Sequence, residues 1–154
     1  MTARPASTVF VSLTDAMSND HDRLDARFDD VRALVEAGDI ERAARAFADV
    51  RADLIAHIRI EEDILFPALV ARLRTLAVPT AVMCREHDQL AVGLDRMADA
   101  LAHADVAGFA ALDRKVCALI SAHNLKEERI LYPMLDRALT GDETERVIAS
   151  LAAR

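Results

Sequence analysis

The chain repeats itself at an interval of 66 residues, and no other feature limits its possible folds so strongly. His21 matches His87, His57 matches His123, Glu61 matches Glu127 and Pro67 matches Pro133. The register continues through Met17/Met83, Asp22/Asp88, Leu24/Leu90, Asp39/Asp105, Val50/Val116, Leu69/Leu135 and Leu73/Leu139. Self-similarity at a fixed interval implies two copies of one supersecondary unit, neither of which can bury its apolar face alone.

The core of each copy reads H-x-x-x-E-E-x-I-L-[F/Y]-P, as His57–Pro67 and again as His123–Pro133. On an α-helix a histidine and a glutamate four residues apart share one face, about one turn apart. That face is apolar. Val50, Leu54, His57, Ile58, Glu61, Ile64, Leu65 and Ala68 form one stripe at helical spacing, and Val116, Ile120, His123, Glu127, Ile130, Leu131 and Met134 form the other. A carboxylate on such a stripe needs a partner, because an unpaired buried charge is costly.

The punctuation predicts an all-α chain. A first helix is expected from about 12 to 37, with Leu13, Met17, His21, Leu24, Phe28, Val31 and Val35 inward. Gly38 ends it, and Asp39 caps a second helix that runs into the low seventies with a kink at Pro67. The segment 75–80 breaks the pattern. Pro79 suits the first turn of a third helix carrying Met83, His87, Leu90, Leu94, Met97 and Leu101. Asp105 caps a fourth helix reaching Leu139, and a short helix follows over 143–152. Two matching hairpins closing on each other give an up-down-up-down four-helix bundle with pseudo-twofold symmetry, in a single domain spanning 1–154 with its core over about 12–139.

Composition supports this class and removes others. The sequence is 53% hydrophobic with only four Gly, four Pro, one Tyr and no Trp, which favours helices over a turn-rich β fold. A formal net charge of −7 opposes non-specific binding to nucleic acid or an anionic membrane. Cys84 and Cys117 are too few for a disulfide framework, the Val9-Phe10-Val11 run is too short for a signal-peptide core, and no stretch suits a membrane span. A cytoplasmic location is the expectation.

Four of the five histidines, His21, His57, His87 and His123, fall on inward stripes in register with the repeat, one per helix; His103 does neither. A single histidine on an apolar face is ordinarily a satisfied core residue. Four in register with Glu61 and Glu127 make a six-residue metal-ligand set: two ions, each with two histidines, and two carboxylates shared between them. Imidazole and carboxylate without thiolate suit iron first, with manganese and zinc behind. Six ligands fill two ions incompletely, which leaves positions for water, a bridging oxygen or a small diatomic ligand.

With its H…H-x-x-x-E…H…H-x-x-x-E order, the E-E-x-x-L-[F/Y]-P extension and the doubled hairpin over about 12–139, the chain resembles the hemerythrin-like, or HHE cation-binding, family. The resemblance implies a non-haem di-iron centre with an oxo or hydroxo bridge, held by His21, His57, Glu61, His87, His123 and Glu127. Oxygen-carrying members have a further histidine four residues along the third helix, whereas Met83 and Ala91 flank His87 here. The implied roles are therefore binding of O2, peroxide or nitric oxide in sensing, stress protection or iron handling. The alternatives are a peroxidase- or catalase-like enzyme, or a signalling module that a closed metal site merely locks.

Other residues have plainer expectations. Glu62 and Glu128 point about 100° away from the ligand glutamates and read as hydrogen-bond partners or solvated groups. Asp25, one turn after His21, is either an extra ligand or a partner for an imidazole. Tyr132, which stands where the first copy has Phe66, reads as a packed aromatic whose hydroxyl is able to reach an open metal position. Asp22 and Asp88 read as surface, Met17, Met83, Met97 and Met134 as core, and His103 as an exposed or capping residue.

Overall fold

Four helices begin in the same way, with a short oxygen-bearing side chain satisfying a backbone donor of the first turn. Ser12 accepts from the Asp15 amide at 3.0 Å, Asp39 from Arg42 at 3.2 Å, Asp105 from Gly108 at 2.8 Å and Thr140 from Glu143 at 3.3 Å. Thr140 and Glu143 complete a capping box. The computed structural model describes residues 12–153, so the Val9-Phe10-Val11 run lies outside the described residues.

The elements are α1 (Leu13–Glu36), α2 (Ile40–Ile60), a π turn (Glu61–Leu65), α3 (Phe66–Arg72), a 3-10 turn (Arg74–Leu76), α4 (Ala77–Ala102), α5 (Val106–Lys126), a second π turn (Glu127–Leu131), α6 (Tyr132–Ala138) and α7 (Gly141–Ala152). The described residues are helical with no strand. The fourth expected helix ends one residue early, at Ala138, and the terminal helix starts at Gly141. Among the described residues, no helix is long and apolar enough to cross a membrane.

At Pro67 and Pro133 the structure holds π turns where a kink is expected. Proline has no N–H to give, and its ring crowds the carbonyl four residues back. Each helix accommodates this by widening one turn, so that the Phe66 amide bonds to Glu61 O and the Tyr132 amide bonds to Glu127 O. The extra residue shifts the inward face. Ile64 and Ile130, expected on the apolar stripes, are 44% and 54% exposed, while Phe66 and Tyr132 turn inward at 3% and 0%.

The two hairpins pack as α1 on α2 and α4 on α5, and they meet chiefly through α2 with α4 and α1 with α6; α7 lies across α1 and α2. Their interior is layered. One apolar cluster holds Leu24, Phe28, Phe47, Leu54, Leu90, Leu94, Met97, Phe109, Val116 and Ile120, with Phe47 edge-on to both Phe28 and Phe109. A second holds Leu13, Met17, Leu65, Phe66, Leu69, Met83, Leu131, Tyr132, Leu135 and Val147. Along each helix the buried histidine falls between the residues of these two clusters, which makes a polar layer sandwiched by apolar ones.

The repeat is visible down to the hairpin turns. Gly38 ends the first hairpin's leading helix at φ 77°, with Asp39 N bonding back to Leu34 O at 3.0 Å. Its counterpart 66 positions on is Ala104, held at φ 52° with the equivalent bond from Asp105 N to Ala100 O at 2.8 Å. A Cβ in the left-handed region costs about 1–2 kcal/mol, partly offset by alanine's lower freedom in the unfolded chain. Ala104→Gly is therefore expected to stabilise the protein by about 0.5–1 kcal/mol, read as a raised urea midpoint with unchanged slope.

Candidate metal centre

All six residues singled out from the repeat converge on the polar layer, and each is at most 4% exposed. Four long helical stretches supply them: His21 from α1, His57 and Glu61 from α2 and its π turn, His87 from α4, and His123 and Glu127 from α5 and its π turn. The donor atoms fall into two groups. His21, His57, Glu61 and Glu127 form one, and His87, His123, Glu61 and Glu127 the other; within each group the four donor atoms lie within 4.8 Å of one another.

The carboxylates straddle the groups. Glu61 places Oε1 3.3 Å from His57 Nε2 and Oε2 3.3 Å from His87 Nε2. Glu127 places Oε2 3.4 Å from His21 Nε2 and Oε1 3.0 Å from His123 Nε2. Each carboxylate thus offers one oxygen to each histidine pair.

The outward nitrogens are tied just as regularly. His57 Nδ1 lies 2.7 Å from Asp20, His87 Nδ1 2.8 Å from Glu62, His123 Nδ1 2.8 Å from Glu86 and His21 Nδ1 2.7 Å from Glu128. Every one of these bonds joins two different helical stretches, and together they run from α1 to α2, from the π turn after α2 to α4, from α4 to α5, and from the π turn after α5 back to α1. The ring is closed. Glu62 and Glu128 therefore serve as imidazole partners. Asp20 and Glu86 were not anticipated; the available signal was a carboxylate one residue before each of two histidines matched by the repeat. They are themselves held by Arg23, at 3.0 Å from Asp20, and by Lys126.

This arrangement fits a bound cation. A carboxylate accepts only, so each imidazole donates through Nδ1 and turns a lone pair inward at Nε2. The inward Nε2 atoms face each other at 3.0 Å for His21 and His57 and at 2.9 Å for His87 and His123. Lone pairs at that separation, beside two carboxylates, need a positive charge among them. Glu61 Oε2 and Glu127 Oε1 are also buried with no hydrogen-bond partner, a costly state that a cation relieves.

Without metal, protons supply that charge. Burial opposes the charged imidazole of His57, but the Glu61 carboxylate and the bond His57 donates to Asp20 outweigh it and hold its pKa up at about 10. Burial likewise works against His21 and His87, and their carboxylate partners raise both. Burial would raise Glu61, yet the facing His57 and His87 hold it well below the usual carboxylate range.

Tyr132 enters the cluster as well. Its hydroxyl donates to Glu61 Oε1 and to Glu127 Oε2 at 3.1 Å, and lies 3.3 Å from His21 Nε2. Burial and the two carboxylates push its pKa well above the ordinary phenol value. The matching Phe66 stacks on His87, rings 6.0 Å apart and 7° from parallel. Asp25 is outside both groups; it is exposed and lines a cleft between α1 and α5 with Phe28, Arg32, Asp113 and Cys117. His103 caps the end of α4 at the surface, its Nδ1 2.8 Å from Asp99 O.

Two outcomes follow. In metal-free protein the raised histidines add stability that is fully present below about pH 6.5 and lost as pH rises through about 10. A cation displaces those protons, so the gap in thermal midpoint between metal-loaded and chelated protein is expected to widen from pH 6 to pH 9. Asp20→Ala removes the acceptor that orients His57 and is expected to weaken metal binding about 10- to 100-fold in chelator competition, with helical content retained.

A family model described as the hemerythrin HHE cation binding domain matches residues 12–135. Comparison with curated proteins and with solved structures finds no match.

Proposed function

Because the chain belongs to the hemerythrin HHE cation-binding family, we propose that it holds two metal ions, iron before manganese or zinc, and uses them to bind O2, peroxide or nitric oxide in sensing, stress protection or iron handling. One observation carries this reading: Glu61 and Glu127 each turn one oxygen to the His21/His57 pair and the other to the His87/His123 pair. That is how a carboxylate bridges two ions. In this reading His21 and His57 hold one ion, His87 and His123 the other, and both glutamates are shared. The hairpin turns at 37–39 and 103–105 support an up-down-up-down four-helix bundle forming one domain, and the charge and composition suit the cytoplasm.

When bound, iron would supply redox capacity and a Lewis-acid position for a small ligand. The chain's own contribution is structural and electrostatic. Asp20, Glu62, Glu86 and Glu128 fix the tautomer and rotation of each imidazole, so the four Nε2 atoms are aimed before an ion arrives. The apolar clusters on either side keep bulk water from the layer and strengthen every interaction within it. Imidazole and carboxylate ligands hold both ferrous and ferric iron, and the absence of thiolate from the set disfavours copper(I). The Tyr132 hydroxyl inside the layer supports a second reading in which the site turns over peroxide. Steady-state peroxide consumption by iron-loaded protein separates turnover from binding.

Protein produced with iron is expected to carry about two metal ions per chain and to show near-ultraviolet absorption that azide or nitric oxide shifts. His57→Ala combined with Glu61→Ala should abolish both. Fewer than about one ion per chain in the parent protein would refute the metal reading. A fully loaded protein whose spectrum ignores azide would instead be a closed site that only locks the bundle.

A further inference from the structure

The two ends of the cage are not equivalent, although the sequence repeat makes them look so. At the His21/His57 end, the Tyr132 oxygen touches all four donor atoms: Glu61 Oε1, Glu127 Oε2 at 3.1 Å, His21 Nε2 at 3.3 Å and His57 Nε2 at 3.5 Å. Ligands bonded at about 2.0–2.2 Å to one first-row ion sit roughly 3 Å from their neighbours. An oxygen about that far from three of the donors, and hydrogen-bonded to the fourth, Glu61 Oε1, stands where a further corner of the same polyhedron would lie. At the His87/His123 end the corresponding side chain is Phe66, which offers a ring face to His87 and no ligand atom. The two buried cage oxygens that accept no hydrogen bond, Glu61 Oε2 and Glu127 Oε1, both face that end.

Resting on the two-metal reading above, we propose that the Tyr132 oxygen is a seventh protein ligand, closing the His21/His57 position, and that the exogenous small anion or diatomic molecule binds at the His87/His123 position against the Phe66 ring. The ion at the first position takes the place of the phenol proton, which leaves to solvent. Tyr132 is thus the residue that decides which ion meets the ligand. Phe66 keeps the open end free of protein oxygen and walls it with apolar surface, which favours small ligands over hydrated ones.

The test uses the full chain loaded with ferric iron, with azide as the probe and metal content measured for every variant. Wild type with two irons is expected to show a tyrosinate-to-iron charge-transfer band with phenolate ring modes in resonance Raman, and to bind one azide per chain. Tyr132→Phe should keep two irons, lose the band and take up a second azide. Phe66→Tyr should keep two irons, strengthen the band and weaken azide binding at least tenfold. Two irons in wild type without phenolate modes would overturn the proposal, as would azide binding that neither variant changes. Failure to load iron at all counts against the two-metal reading itself, which metal content reports separately. The wild-type Raman spectrum decides the ligand assignment even if a variant fails to fold.

Discussion

Four histidines and two glutamates turn into the middle of an apolar bundle, and the rest of the architecture is arranged around making that tolerable. An isolated buried carboxylate would be expensive, as would an unpaired imidazolium. Here no group is isolated: every inward nitrogen faces a carboxylate oxygen, and every outward nitrogen is tied to another. The layer nevertheless balances only if positive charge occupies its middle, as protons or as metal. Its stability and its ability to bind are the same electrostatic problem seen in two states.

The apolar clusters on either side turn that problem into a defined geometry. Phe28, Phe47 and Phe109 interlock on one side, and Leu65, Leu69, Leu131 and Leu135 fill the other, so the helices cannot slide along one another without opening voids. The π turns add an adjustment that α-helical register could not make. By inserting one residue after each glutamate they turn Phe66 and Tyr132 toward the histidines and send Ile64 and Ile130 outward. The frame then carries one chemical difference between its copies, the Tyr132 hydroxyl in place of the Phe66 ring edge, at the place where it touches the donor atoms.

Much of this was legible in the sequence because it is periodic. The repeat places His21, His57, His87 and His123 on matched faces, and four-residue spacing puts Glu61 and Glu127 beside two of them, so the convergence of all six needed only helix geometry. What escaped was whatever depends on departures from that geometry or on contacts between helices. Ile64 and Ile130 looked inward because an α-helical count was carried through turns that are wider. Asp20 and Glu86 drew no expectation because their partners, His57 and His123, lie across a helix interface that spacing alone does not reveal. Asp25 shared a face with His21, but one turn further along α1 that face opens on the cleft beside Arg32 and Asp113.

The outer ring of carboxylates has a kinetic meaning beyond orientation. Because each of its bonds crosses from one helical stretch to another and the circuit closes, it acts as a hoop around the bundle at the level of the cage. An ion held in the cage would be released only where neighbouring helices part and the hoop breaks at a seam. The seams differ in strength. Asp20 and Glu86, within the hairpins, are 8% and 17% exposed, whereas Glu62 and Glu128, between the hairpins, are each 36% exposed, where water competes for their bonds. Exchange of a bound ion with the surrounding solution would thereby be tied to the breathing of one hairpin against the other, and its residence time would be a property of that interface as much as of the ligands.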